Sequence, residues 1–173
     1  DLPGIYGAGA VQTLMNIYGI KPGSDVVMVG SGNIGFGVRA LTSNSSGSCN
    51  VAVGDSILSC NTNGDYNVAL GASTLARNTS GCDNIGLGRQ ALFCNTIGKC
   101  NISLGFQSMY QNVSGLYNIA LGCDSLRNNS TGNNNIALGR DALDGGFFGA
   151  GTGSCNIALV FQSLYSNTTG YHN

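Results

Sequence analysis

Large apolar residues return along this chain at a fixed step of seventeen. After each of Asn33, Asn50, Asn67, Asn84, Asn101, Asn118 and Asn135 comes Ile or Val, from Ile34 to Ile136, and two residues further on comes Phe36, Val53 or a Leu, through Leu138. The residue between is small: Gly35, Ala52, Ala69, Gly86, Ser103, Ala120 and Ala137. A third apolar ladder lies eight residues after the Asn and runs Leu41, Leu58, Leu75, Leu92, Met109, Leu126, Leu143 and Leu164. A second Asn ladder, Asn44, Asn61, Asn78, Asn95, Asn112, Asn129 and Asn167, has Gly three residues later each time. The step lengthens between Asn135 and Asn156, so a four-residue insertion falls within residues 144–154.

A strict period of this size marks a solenoid, in which each unit stacks on its neighbours. The pattern predicts an all-β parallel solenoid, a β-roll of about eight 17-residue coils over residues 33–173. Each coil reads as a strand such as NIALG, a corner at the Gly, a second short strand around the Leu, and a turn of the NTSG type. Alternation with period two sends Ile and Leu to one face and Ala with Asn to the other, which excludes a helical repeat. The expected core is the three apolar ladders, with the small-residue face open to another chain. Asn and Gly of the turn are expected to supply the positive backbone dihedrals. Stacked copies of one Asn can bond along the stack.

Residues 1–32 fit the repeat poorly. KPGSDVVMVGSGNIG predicts a turn, a buried strand Asp25–Val29, and Gly30, Gly32 and Gly35 in GxGxxG spacing. With the residues before it, this resembles the dinucleotide-binding segment of flavin-dependent pyridine-nucleotide oxidoreductases over residues 1–38, which implies glycines cradling a pyrophosphate at a helix N-terminus. Asn33, Ile34, Phe36 and Leu41 already stand on the repeat's ladders, no long helix is predicted to follow, and only Asp55 is in range of the ribose-binding acid. An N-terminal cap, or a remnant of a dinucleotide-binding unit, is expected rather than a working cofactor site. Because Asp1 rather than Met opens the chain, a processed or truncated N-terminus is expected too.

Composition narrows the function classes. Only 9% of the 173 residues are charged, the net charge is -1, and no basic run exists, so a nucleic-acid partner is not expected. No apolar stretch approaches the roughly 20 residues of a membrane span. All the acids are Asp at scattered phases and the single His172 is penultimate, which leaves no catalytic constellation, and the chain is not expected to be an enzyme. NTNGD at 61–65 and LDGG at 143–146 keep neither calcium-loop pattern and are expected to be plain turns. No metal or cofactor is assigned.

The repeat from 33 to 173, with its NxAxG units and the closing FQSLYSNTTGYHN, resembles the heads of trimeric autotransporter adhesins and, more closely, the seventeen-residue repeats of phage and virus tail fibres. That resemblance implies a parallel β-roll, usually trimeric, in the shaft or head of an extracellular fibre. An apolar core this thin offsets little of the entropy of ordering each coil, which also points to self-association as a trimer or head-to-tail filament. A receptor-binding fibre is the alternative, with Phe93, Tyr110, Tyr165 and Arg127 as a candidate stripe facing a cell-surface or glycan receptor; an oxidoreductase fragment is a further one. In a secreted protein the seven Cys suggest disulfides, and Cys94 with Cys100, flanking NTIGK, is the candidate pair. Sequons place candidate glycans on Asn44, Asn78, Asn112, Asn129 and Asn167 of the turn phase, where an outward edge is expected, and leave Asn101 of the strand phase bare.

Overall fold

The structure is a computed structural model that describes residues 27–30, 32–145 and 151–173. Among them there is no helix, and nine short strands line up in one sheet in chain order. These are β1 (Val27–Gly30), β2 (Asn33–Phe36), β3 (Val51–Val53), β4 (Val68–Leu70), β5 (Ile85–Leu87), β6 (Ile102–Leu104), β7 (Ile119–Leu121), β8 (Ile136–Leu138) and β9 (Ile157–Leu159). From β2 to β9 every pairing is parallel and joins residues one repeat apart, such as Ile85 with Ile102 and Leu87 with Leu104. Ile136 pairs with Ile157, so the longer step is absorbed without breaking the ladder. The chain is a parallel β-solenoid with the seventeen-residue coil that the period predicts.

The strands differ from the expected arrangement in which way they face. Ala52, Ala69, Ala120, Ala137 and Ala158 are buried, and so are all the strand Asn residues from Asn33 to Asn156. The Ile and Leu beside them point outward: Ile34 is 47% exposed, Phe36 52%, Leu70 40% and Ile157 55%. The expected core of three apolar ladders is therefore corrected to one. Leu41, Leu58, Leu75, Leu92, Met109 and Leu126, with Ala40, Ala142 and Ile57, meet the strand alanines inside. A seventeen-residue coil encloses a narrow bore, and one large side chain per level fills it. Two more per level would overfill it, so the smaller strand face goes in.

Polar atoms complete the interior. Asn101 shows the pattern: its backbone N–H and Nδ2 donate to Asn84 Oδ1 at 3.1 Å each, and Nδ2 also donates to the Gly115 carbonyl at 2.8 Å. Asn118 repeats both bonds onto Asn101 Oδ1. A carboxamide has two donors and an acceptor with two lone pairs, so a stack of identical Asn saturates itself and goes dry without an unpaired group. The stack crosses the insertion as well, since Asn156 N–H donates to Asn135 Oδ1 at 3.1 Å.

The expected second strand around the Leu is absent from every described coil; turns occupy that stretch. The third ladder has left-handed backbone there, with Leu75 at φ 51° and Met109 at φ 48°. Two more columns are left-handed, one including Gln107 and Asp124, the other Cys49, Tyr66, Asp83, Cys100 and Tyr117. The glycines that close the strands have positive φ, such as Gly88 at 127° and Gly105 at 133°, as do Gly32 and Gly145. The turn glycines meet a different requirement. A Cβ on Gly115 would collide with Asn112 Oδ1 and with the Gly132 carbonyl one coil on, so this Gly admits close stacking rather than a special dihedral.

Candidate functional site

Two columns of outward apolar side chains, the Ile/Val column and the Leu/Val/Phe column, cover the sheet from β2 to β9 without a charge between them. Eight strands at a spacing of about 4.8 Å make a face about 40 Å long. Contiguous apolar surfaces of this extent are uncommon on isolated soluble chains and mark interaction sites. Each flank carries a mixed column. Ahead of the strands stand Cys49, Tyr66, Asp83, Cys100, Tyr117, Asn134 and Cys155, with Tyr66 61% and Tyr117 59% exposed. After the closing glycines stand Asp55, Ala72, Arg89, Phe106, Cys123, Arg140 and, in the last coil, Phe161. An apolar centre with a polar and aromatic rim is the anatomy of a protein interface.

These rims carry a signal that the seventeen-residue step conceals. Cys49, Cys100 and Cys155 recur every third coil, as do Tyr66 with Tyr117, Arg89 with Arg140, and Phe106 with Phe161. The two Arg–Phe pairs are alike in geometry, each guanidinium lying 4.6 Å from the ring centroid of the next coil's Phe. A three-coil recurrence is thus laid over the first period at some rim positions, although Asp83 gives way to Asn134 and Ala72 to Cys123, and the buried Ala40, Ala91 and Ala142 share it.

The other candidate residues fall elsewhere. Of the turn-phase sequons, Asn78 and Asn112 are 0% exposed and Asn129 3%, while Asn44 and Asn167 are partly buried in the first and last coils. Asn112 Nδ2, the atom a glycan would occupy, donates to Asn95 Oδ1 at 2.8 Å and to the Gly115 carbonyl at 3.3 Å. The outward edge assigned to Asn44, Asn78, Asn112, Asn129 and Asn167 is therefore corrected: this phase forms a second internal Asn stack. A glycan on any central member would have to leave the folded coil. Asn101 lies in the strand stack, as expected.

All seven cysteines are free thiols, Cys94 and Cys100 included. The candidate disulfide between those two is corrected for a geometric reason. Cys94 N–H donates forward to Tyr110 O at 2.9 Å, Cys100 N–H donates back to Cys82 O at 3.1 Å, and Asn95 between them turns inward, so the loop travels around the rod instead of doubling back. Burial raises the Cys94 thiol above its ordinary value, opposed by the charge of Arg77, and this keeps it protonated.

The aromatic stripe stacks on itself along the half-buried side of the rod. The Phe93 and Tyr110 rings lie 5.1 Å apart and nearly parallel at 4°, with Arg77 capping Phe93 at 5.1 Å and Arg127 capping Tyr110 at 5.8 Å. With both faces of both rings occupied, only edges are left for a receptor. Tyr165 bonds instead to Asp144. Asp144, buried beside Asp124, Asp141 and Arg127, has its carboxyl pushed up to about 6, chiefly by burial. Asp65 in the first calcium-like turn spends Oδ1 on Ser48, accepting from its N–H at 2.7 Å and its hydroxyl at 3.0 Å.

GxGxxG also takes another form here. Val27–Gly30 pairs antiparallel with Asn33–Phe36, Gly30 opposite Asn33 and Met28 opposite Gly35, so the three glycines build a β-hairpin along the edge of β2. Among the described residues no helix follows to hold a phosphate. Asp25 and Val26, the rest of that expected strand's start, and residues 1–24 lie outside the described residues. No helix among the described residues is long and apolar enough to cross a membrane. They contain no group of three or more His, Cys or Asp placed to hold a metal ion. Comparison with protein-family models, with curated proteins and with solved structures gives no match to this chain.

Proposed function

We propose that this chain is a structural repeat module of an extracellular fibre, filament or adhesin shaft, and that copies of it join through the outward face of the sheet. One observation carries this: two large apolar side chains of every coil face outward, while the third apolar ladder and the stacked amides fill the inside. A chain that worked alone would gain by burying them, at about 1.5–3 kcal/mol for each fully buried side chain. Two outward-facing per coil over eight coils, none of them fully buried, is a persistent cost in water unless something covers them.

Stacked identical coils with self-saturating Asn cores also give a stiff rod whose length scales with repeat number, which suits a shaft. The seventeen-residue resemblance to tail-fibre and adhesin-head repeats points the same way. Electron microscopy of the purified chain tests it: bundled rods or filaments are expected, each solenoid about 40 Å long per eight coils. Fields of separate compact particles of single-chain mass contradict it.

A further inference from the structure

We infer that Asn63 is a site of spontaneous deamidation, in which the main-chain nitrogen of Gly64 displaces ammonia from the Asn63 side chain and one coil of the rod is altered covalently with time. The site is independent of the sheet face and of self-association.

The turn NTNGD holds the one Asn-Gly step in the sequence. Other turns of this phase place Ser, Ile or Thr before the Gly, as at Ser80, Ile97 and Thr131. Glycine matters because it puts no Cβ in the path of its nitrogen toward the neighbouring side-chain carbonyl. Asn63 is exposed, so its carboxamide can turn toward that nitrogen. Its contact within the turn is the Thr62 hydroxyl, 3.2 Å from Oδ1, and that hydroxyl lies nearer the Thr79 carbonyl, at 2.9 Å. The attacking nitrogen is spare as well. Thr62 N–H and Asn63 N–H both donate to Thr79 O, at 3.0 and 3.1 Å, and the Gly64 N–H donates to no acceptor among the described residues. Gly47 and Gly81, one coil to either side, donate theirs to Thr62 O and Thr96 O.

Comparable steps are tied down. Asp144 and Gly145 could cyclise in the same way, yet Asp144 is buried and Gly145 N–H donates to Tyr165 O at 3.0 Å. Asn44 and Asn129 precede Ser, whose N–H groups donate to Thr62 O at 3.0 Å and to Gly151 O at 2.8 Å. Asn134 is exposed, but the next N–H, that of Asn135, donates to Asn118 Oδ1 at 2.9 Å. The stacked amides bond to one another, as Asn101 does to Asn84, and cannot turn toward a following nitrogen without leaving the stack.

The reaction balances with water alone. The Gly64 nitrogen gives its proton to water or hydroxide and bonds to Asn63 Cγ; the Cγ–Nδ2 bond breaks, ammonia leaves, and a cyclic imide remains. Water then opens the ring at either carbonyl, so one water is consumed and one ammonia released, with no oxidation or reduction. Opening at Cγ leaves an aspartyl side chain on an unchanged main chain. Opening at the main-chain carbonyl leaves an isoaspartyl link, which routes the chain through Cβ and Cγ and lengthens it by a methylene. The coil has no slack for that. Gly64 O accepts from Asn50 Nδ2 at 2.8 Å and from Asn61 Nδ2 at 3.0 Å, one amide from each Asn stack, and a Cβ on Gly64 would already collide with Gly81 O. The aspartyl product adds a charge near Asp65, whereas the isoaspartyl product pulls Gly64 from both stacks.

The full chain, held folded at mildly alkaline pH beside the same chain unfolded in guanidinium, tests this by peptide mapping at acid pH and mass spectrometry. Isoaspartate is counted by its methylation with a protein-isoaspartate methyltransferase. In the folded chain Asn63 is expected to convert at least about tenfold faster than any other Asn, because an unencumbered neighbouring nucleophile acts as an intramolecular reagent. Conversion should quicken as pH rises, since the attacking nitrogen must shed its proton, and should be slower than in guanidinium, where the turn is freely mobile. Asn63→Ser, which spells the turn as Asn78 to Gly81 already does, should lose the conversion and keep the parent's far-UV circular dichroism. A folded parent whose Asn63 is still the amide once the unfolded chain has converted overturns the assignment, and so does conversion spread evenly over the Asn residues of the folded chain.

Discussion

The two sides of one three-residue strand behave as opposites. Inward, Ser103 sits against Ser108 beside the Asn84–Asn101–Asn118 stack, in a space closed to water. Outward, Ile102 and Leu104 are only half-buried. The inner side is polar and complete; the outer side is apolar and unfinished. What separates them is how well each can be satisfied within one chain: amides stacked at the coil spacing saturate one another, whereas the apolar sheet face has no second layer among the described residues to meet it.

The contrast is broken most severely from the inside. Asn101→Leu keeps the volume and removes an amide whose Oδ1 accepts from Asn118 and whose Nδ2 serves Asn84 and Gly115, leaving the buried Asn118 N–H without an acceptor and taking one donor each from Asn84 Oδ1 and the Gly115 carbonyl. A loss on the order of 3–5 kcal/mol is expected in urea unfolding. Leu92→Ala, in the bore, is expected to cost about 2–5 kcal/mol by leaving a cavity. Its outward counterpart Leu104→Ala should change the unfolding of the dissociated chain by less than about 1 kcal/mol while weakening assembly. Equal effects at Leu92 and Leu104 on the dissociated chain would erase the distinction between the sides.

How much of this is legible in the sequence depends on the kind of signal. The ladders fix period, the NIALG strand and parallel stacking, because each column repeats its chemistry regardless of where it points; the second strand expected around the Leu is not there, because that ladder has left-handed backbone. Facing is another matter. Alternation in NIALG defines two faces without saying which goes in, and the general preference for buried Ile and Leu chooses the wrong one. What decides is the bore: one Leu per level fills it, and Asn84 or Asn101 goes dry only because its copies stack. The same error misplaces Asn78 and Asn112, whose NxSG spelling is equally that of an exposed turn. A finer signal lies beneath the seventeen-residue step, in the three-coil recurrence of Cys49, Cys100 and Cys155.

Smaller effects sharpen the comparison at the last coil. Val160 stands where every earlier described coil closes its strand with Gly, and its φ of 107° is one a β-branched residue rarely adopts. Val160→Gly is expected to raise the midpoint of thermal unfolding, with a gain of about 1–2 kcal/mol. An unchanged or lowered midpoint would show that no strain is held there. Asp144 gives a pH effect of similar or smaller size. Its carboxyl titrates at about 6 in the folded chain against an ordinary value of 3.8, mainly through burial. The folded state therefore holds the proton more tightly, and stability is highest at acid pH and falls as pH rises through the window between those values. Asp144→Asn keeps an acceptor for Asn128 and should flatten that slope, with a gain of about 1–2 kcal/mol at pH 7.

The central claim is that the outward sheet face joins copies of the chain while the Asn stacks hold each coil closed. Sedimentation equilibrium of the parent chain beside Leu87→Lys/Leu104→Lys, two charges set in the middle of the face, tests it most directly. The account predicts an oligomeric parent and a monomeric variant whose far-UV circular dichroism at matched concentration is that of the parent. A monomeric parent, or a variant that assembles as tightly as the parent, would contradict it.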